Sequence, residues 1–241
     1  MTNMNSLKNK PARIPTYLKH IFVLFVGTRL SLTMIGVVSR MLLEPFYQKR
    51  DAWVYSEEPW LDLWAVFDSG WYMNIAKLGY STTVATDPAS FGKVNYSFFP
   101  LYPLLIRFVS EFTDDLYLAG IIISNISLIA ASIFLFKLMK MEHDEDTSLA
   151  SIKYLFIFPT SFIFSGVFTE SLFLALTLAC FYYARRGKFL AVGIVGFFLS
   201  LTRIPGVIII LPMLWEYQRG SRKLFTKDLV YLMLIPLGLV T

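Results

Sequence analysis

The sequence predicts an all-α fold, a polytopic bundle of membrane-crossing helices with a long first extracytoplasmic loop. Three observations predict it. Hydrophobic residues make up 56% of the 241-residue chain and aromatic residues 17%, while charged residues fall to 16%, against about 25% in soluble domains. Several apolar runs approach the roughly 20 residues needed to cross a bilayer core. Basic residues recur between those runs and do not gather on one polar face, so the net charge of +5 reads as a set of topology signals, not as a nucleic-acid footprint. Cys180 is the lone cysteine. It excludes an intrachain disulfide, and nothing near it in sequence lowers a thiol pKa.

Taken in order, Lys8, Lys10, Arg13 and Lys19 precede the first acidic residue, Glu44, and this bias places the N-terminus in the cytoplasm. The apolar run 17–43 is longer than a signal-peptide core and lacks a small-residue cleavage site after it. It reads as a retained transmembrane helix. Arg29 falls near its middle, where a charge costs at least about 2.5 kcal/mol unless it faces a polar cavity. Arg40 is close enough to the end to snorkel.

The segment 44–97 carries Glu44, Asp51, Glu57, Glu58, Asp62, Asp68 and Asp87 against Lys49, Arg50, Lys77 and Lys93. Its acidic balance after one crossing makes it extracytoplasmic. Trp53, Trp60, Trp64 and Trp71 favour a headgroup layer, which predicts short helices lying on the membrane surface. Within it stands FDSGWYMNIAKLGY, residues 67–80. A helix starting at Asp68 puts Trp71, Tyr72 and Ile75 on the same face as the carboxylate. Two readings of Asp68 follow, and they are compatible if one oxygen stays available. An Asp before Ser-Gly is a good helix N-cap, and a carboxylate on an aromatic surface at a membrane boundary is a proton acceptor where a lipid-borne substrate meets water.

Residues 101–109 predict a further interfacial helix, entered through Pro100 and Pro103, and 116–138 a second span. The charged stretch 137–148 predicts a solvated cytoplasmic turn. His143 within it has no second histidine at ligand spacing and reads as surface, not as a metal ligand. Between Lys153 and the run Arg185, Arg186, Lys188, and again from there to Arg219, Arg222 and Lys223, basic flanks require the chain to cross and return over lengths short for two spans. Pro159 and Glu170 interrupt the first hairpin, Arg203 and Pro205 the second. Broken backbone at membrane depth is tolerated only against protein or water, so Glu170 and Arg203 belong on a cavity wall on the side of Asp68. They serve there as functional charges or as an ion pair fastening two hairpins. The run 229–241 is too short to span, and the single membrane domain over 1–241, without internal repeat, is expected to be C-terminally truncated.

With these blocks located, the sequence resembles the PIG-V-like family, GPI mannosyltransferase II and its prokaryotic relatives, within the GT-C superfamily of membrane glycosyltransferases. The resemblance rests on an Asp-x-x-Trp-aromatic segment ending in Gly-Tyr (Asp68, Trp71, Tyr72, Gly79, Tyr80) and on the block FFPLYP at 98–103. It continues in SGVFTESLF around Glu170 and LTRIPG around Arg203, and covers about 60–217. It implies a GT-C-like bundle and an inverting transfer of mannose from a polyprenyl-phosphate donor to a lipid- or protein-linked acceptor hydroxyl outside the cytoplasm. Enzymes of this superfamily carry an essential aspartate in the first extracytoplasmic loop, a position that Asp68 matches. The membrane implied is the plasma membrane for a prokaryotic source, to which the lack of large inserts points, and the endoplasmic reticulum for a eukaryotic one.

The chemistry then distributes roles. Asp68, ionised at neutral pH, takes the acceptor proton as general base, while the departing phosphate needs cationic donors aimed at it. Arginine suits that task. Arg203 is the first candidate and Arg29 the second, with burial against helix-end carbonyls as the other reading of Arg29. Glu170 orients the acceptor or holds Arg203. Trp71, Tyr72, Phe99 and Tyr102 stack on sugar faces or anchor at headgroups. The expected partners are a lipid-linked sugar donor, a membrane-associated acceptor and the surrounding lipids, with no nucleic acid. Neither cofactor nor metal is expected, since Asp114-Asp115 lacks the third acidic position of a nucleotide-sugar metal motif. The rivals are a lipid or solute transporter or flippase, which also uses broken helices with charges at mid-depth, and a non-catalytic membrane subunit. The long loop and the lack of a repeat favour the enzyme.

Overall fold

The computed structural model describes residues 15–43, 54–81, 95–220 and 226–240, and every regular element among them is helical. Lys8, Lys10, Arg13, Trp53, Arg222, Lys223 and the parts of the 44–97 loop at 44–53 and 82–94 lie outside the described residues. Two helices, α1 (Thr16–Leu43) and α5 (Leu116–Met139), are long and apolar enough to cross a membrane by length and composition. At 1.5 Å per residue the 24 residues of α5 span about 36 Å.

Between them the loop forms α2 (Pro59–Asp62), α3 (Ser69–Leu78) and α4 (Leu101–Thr113). Short helices were expected, but α4 runs a full turn past 109. Arg40 does not snorkel freely: its Nη2 lies 2.8 Å from the Asp62 carboxylate, whose other oxygen accepts the Tyr55 amide at 2.7 Å. Asp62 is 3% exposed, so this pair pins α2 to the end of α1. Further along, Asn95 accepts from the Ser81 amide at 2.9 Å and donates to the Gly79 carbonyl at 3.2 Å, which brings the chain from the end of α3 back beside the start of α4.

After α5 come α6 (Glu145–Ile157), a 3-10 turn (Ser161–Phe164), α7 (Glu170–Arg185), α8 (Phe189–Ser200), a second 3-10 turn (Ile204–Ile209), α9 (Ile210–Gly220), α10 (Lys227–Leu232) and α11 (Leu234–Leu237). The charged stretch 137–148 is mostly helix, because α5 continues to Met139 and Asp144 starts α6 by accepting the Thr147 amide at 2.7 Å. Both hairpins break where Pro159 and Pro205 interrupt them. The run 229–241, too short to span, folds into α10 and α11 against α8. Gly193 permits this. A Cβ there would collide with the Tyr231 carbonyl, and one at Gly196 would meet the Ile235 side chain at 2.6 Å.

Helix α5 is the centre of the bundle and touches α1, α3, α4, α6 and α7. Beside Tyr117, Ile123, Leu128 and Phe136, its buried positions include the small residues Ala119, Gly120, Ser124, Ser127 and Ser132, which let neighbouring backbones approach. Ser132 returns its proton to the Leu128 carbonyl at 2.8 Å, so the helix buries hydroxyls without orphaning them. Outside the core, large apolar side chains face outward along the bundle: Phe22, Leu30 and Met34 of α1, Phe108 of α4, Leu211 and Trp215 of α9. At the far end of α5, Arg185 pairs with Glu142 and with Glu216 (3.0 Å), while Lys137 lies over the Tyr182 ring at 5.6 Å.

Gly193→Leu should force α10 and α11 off α8 and destabilise the protein by about 1–3 kcal/mol, read as a lower thermal transition of the purified protein. The hydrogen bond from Thr147 holds the Asp144 carboxyl below its usual value. A carboxyl depressed on folding stabilises above its unfolded pKa of about 3.9 and loses that contribution as pH falls through its folded value. The stability gap between wild type and Asp144→Ala should therefore be constant near neutral pH and close below about pH 4.

Candidate active site

The site is assembled from stretches far apart in sequence. Phe67 has φ of +50°, a left-handed value that costs a non-glycine residue roughly 1 kcal/mol, and the turn is held by Ser69, whose hydroxyl donates to the Val66 carbonyl at 2.8 Å. This turn presents Asp68 at the head of α3. The cap reading of Asp68 is corrected here. Its backbone is helical (φ −78°, ψ −6°) and its side chain accepts no amide of the first turn, where a capping side chain would be extended and bonded. The exposed carboxylate makes no hydrogen bond or ion pair with any described residue.

Asp68 opens onto a cavity of about 440 Å³. Tyr72 of α3 and Ser97, Phe98 and Phe99 before α4 line it together with Asp68. Phe173 of α7 and Thr202, Arg203, Ile204 and Pro205 of the break after α8 complete it. Two backbone hydrogen bonds register these pieces: Val167 N–H donates to the Trp64 carbonyl at 2.9 Å, and Leu101 N–H to the Leu201 carbonyl at 3.0 Å. Gly166 allows the first, since a Cβ there would stand 3.0 Å from the Trp64 carbonyl oxygen and 2.8 Å from the Phe168 ring.

Arg203, in extended conformation immediately before the second 3-10 turn, donates through Nη1 to Glu170 Oε1 at 2.9 Å. The side chains are 43% and 25% exposed, so the pair is a solvated contact at the cavity edge. Glu170 sits in the first turn of α7, where the helix dipole favours an anion. Tyr72 packs edge-on against Phe98 and Tyr102 at 5.1 and 5.2 Å. Burial raises its phenol above the ordinary tyrosine value; the Glu170 and Asp68 carboxylates push the same way, and Thr169 and Arg203 pull it back. Tyr72 is thus a neutral hydrogen-bonding group close to all three charges.

The structure brings Asp68, Tyr72, Phe99 and Arg203 to one cavity, with Glu170 held to it through Arg203. The other expected residues go elsewhere. Trp71 stacks on Phe98 at 5.8 Å and does not line the cavity, because Phe98 stands between α3 and α4. Tyr102 is fully buried, 2.7 Å from Ser124 Oγ and donating to the Gly120 carbonyl at 3.1 Å. It packs α4 onto α5. Arg29 is 8% exposed and its guanidinium is committed to the first hairpin break: Nη1 donates to Ser161 O (2.8 Å) and Ser165 Oγ (2.9 Å), and Nη2 to Phe156 O (3.5 Å) and Ser161 Oγ (3.2 Å). It satisfies carbonyls that the end of α6 frees.

Sequence reasoning missed Phe98, Ser97, Phe173, Thr202, Ile204 and Pro205 as lining residues. Phe173 was accessible in principle, since it stands one helical turn from Glu170 on α7. His143 lies in the exposed turn at the far end of α5, and no group of three or more metal-ligating side chains lies together among the described residues. Comparison with protein-family models, characterised proteins and solved structures returned no match.

Because the Asp68 side chain supports nothing in the fold, Asp68→Asn should leave the thermal transition within about 0.5 kcal/mol of wild type. Asp62→Asn, which loses the buried contact with Arg40, should cost about 1–3 kcal/mol. Parallel thermal melts of the two variants check the contrast.

Proposed function

We propose that the chain is a polytopic membrane glycosyltransferase that moves mannose from a polyprenyl-phosphate donor to an acceptor hydroxyl on the extracytoplasmic side, with inversion. The observation that carries this reading is one cavity shared by the Asp68 carboxylate, bound to none of the described residues, and a guanidinium, Arg203, that uses only Nη1 in its contact with Glu170. Inversion needs a base on one face of the anomeric carbon and cationic donors for the leaving phosphate on the other. Asp68 takes the proton of the acceptor hydroxyl as its oxygen bonds to the anomeric carbon, and the bond to the phosphate oxygen breaks with its electron pair leaving on the phosphate. Arg203 binds that oxygen through the donors facing away from Glu170. Tyr72 supplies a neutral hydrogen bond between them, and Phe99 and Phe173 give the sugar an apolar wall.

Membrane embedding is supported by the outward-facing apolar side chains of α1, α4 and α9, which would be a liability in water. Lys137, Lys140 and Arg185 lie at the end of α5 away from Asp68, where a cytoplasmic face would place them. Residues 17–43 then run outward, and Asp68, Glu170 and Arg203 share the outer side.

Membranes carrying the protein, supplied with radiolabelled polyprenyl-phosphate mannose, should transfer label to an acceptor. Asp68→Asn should lower the rate about 10²–10⁴-fold and Arg203→Ala about 10²–10³-fold, both at normal expression. Undiminished transfer by Asp68→Asn, or a label that enters nothing while another lipid-linked sugar is used, overturns the assignment.

A further inference from the structure

A second cavity, of about 430 Å³, opens between α1 and α6 at the end of the bundle opposite Asp68. The two helices run parallel there: Phe25 meets Phe156 edge-on at 6.3 Å, and Arg29 reaches past it to Ser161. Every lining residue precedes that aromatic contact on its own helix, so the cavity is a wedge on the N-terminal side of the contact between Phe25 and Phe156. Val23, Leu24, Leu149 and Ala150 form its apolar walls. Lys19, His20 and Lys153 supply its polar groups, and none of the described lining side chains is acidic.

His20 is oriented within this wedge. Its Nδ1 donates to the Thr16 carbonyl at 3.0 Å, which leaves Nε2 as the ring nitrogen not used in that contact. The nearest acidic residues in sequence stand at the start of α6 and do not line the wedge: Asp144 accepts the Thr147 amide, Glu145 is paired with Lys140 at 3.6 Å, and Asp146 follows in the first turn. Two lysine ammonium groups and an imidazole therefore line an apolar slot. Free phosphate would use the cations and leave the slot empty. A molecule with an anionic head and apolar tails uses both.

We propose that this wedge binds an anionic phospholipid of the cytoplasmic leaflet, with its phosphate on Lys19, His20 and Lys153 and an acyl chain along Val23, Leu24 and Leu149. The site is separate from the cavity of Asp68 and Arg203, and the inference rests on the membrane reading alone, not on sugar transfer. Basic side chains near a leaflet surface each strengthen binding to anionic lipid several-fold, and the apolar slot adds selectivity for a lipid over a soluble anion.

The test uses purified protein reconstituted into nanodiscs containing both phosphatidylcholine and phosphatidylglycerol, then extracted into detergent and read by native mass spectrometry. Wild type should retain phosphatidylglycerol selectively, and the doubly substituted Lys19→Gln, Lys153→Gln protein should lose that retention by on the order of thirtyfold. Ala150→Trp, which fills the slot with both lysines kept, should lose it as well. Lys137→Gln, in the last turn of α5, should retain lipid like wild type. Equal retention of the two lipids by wild type, unchanged retention in both site variants, or displacement of phosphatidylglycerol by inorganic phosphate overturns the proposal. Failure of wild type to enter nanodiscs would instead overturn the membrane reading, and the mannose-transfer assay stands apart from both.

Discussion

Two backbone hydrogen bonds carry the candidate site: Val167 to the Trp64 carbonyl, and Leu101 to the Leu201 carbonyl. Each joins a broken hairpin to the loop that follows the first long helix. An unbroken helix offers no free amide or carbonyl for such a bond, since its interior groups are paired within the helix. The interruptions before Glu170 and around Arg203 supply them. The same breaks that cost helical hydrogen bonds thus provide the connections that bring Asp68, Tyr72 and Arg203 to one cavity.

Arg29 solves the corresponding problem on the other face of the bundle. The chain leaves α6 at Ile157 and re-enters helix only at Glu170, and in an apolar setting the carbonyls freed between those points need donors. A guanidinium brings several in a fixed fork, and Arg29 places them on Phe156, Ser161 and Ser165. Sequence could rank Arg29 beside Arg203 because both interrupt apolar runs. Separating them required the 3-10 turn at Ser161–Phe164, whose serines carry no pattern that announces an arginine more than a hundred residues upstream.

Much of the rest was legible for physical reasons that differ from one element to the next. The long helices were visible in length and apolarity, and the hairpin breaks in Pro159 and Pro205. The i to i+4 spacing correctly put Tyr72 beside Asp68. The i+3 neighbour Trp71 went astray because Phe98, brought in by tertiary contact, took its face. Tyr102 went astray for a related reason: whether an aromatic at a helix start lines a cavity or packs inward depends on what lies opposite, and Gly120 and Ser124 of α5 leave room for its ring and partners for its hydroxyl. The Asp62 pair with Arg40 was invisible as well, since it joins residues on different elements and matches no helical spacing.

The charge balance of the cavity is the last constraint. Asp68 and Glu170 are acidic and Arg203 is basic, so on the proposed reading the site is net negative before a phosphate enters. Glu170 reconciles the two demands on Arg203. By taking Nη1 alone it fixes the direction of the guanidinium, and it draws its own stabilisation from the α7 dipole as well as from the arginine. Arg203 lines the cavity, and its remaining donors are bound to no carboxylate among the described residues. A leaving phosphate therefore need not displace Glu170 to reach Arg203. Glu170, which holds the cation, and Asp68, the base of the proposed reaction, stand on different elements, α7 and the head of α3, so each can be set by its own helix without the other being drawn toward the same guanidinium.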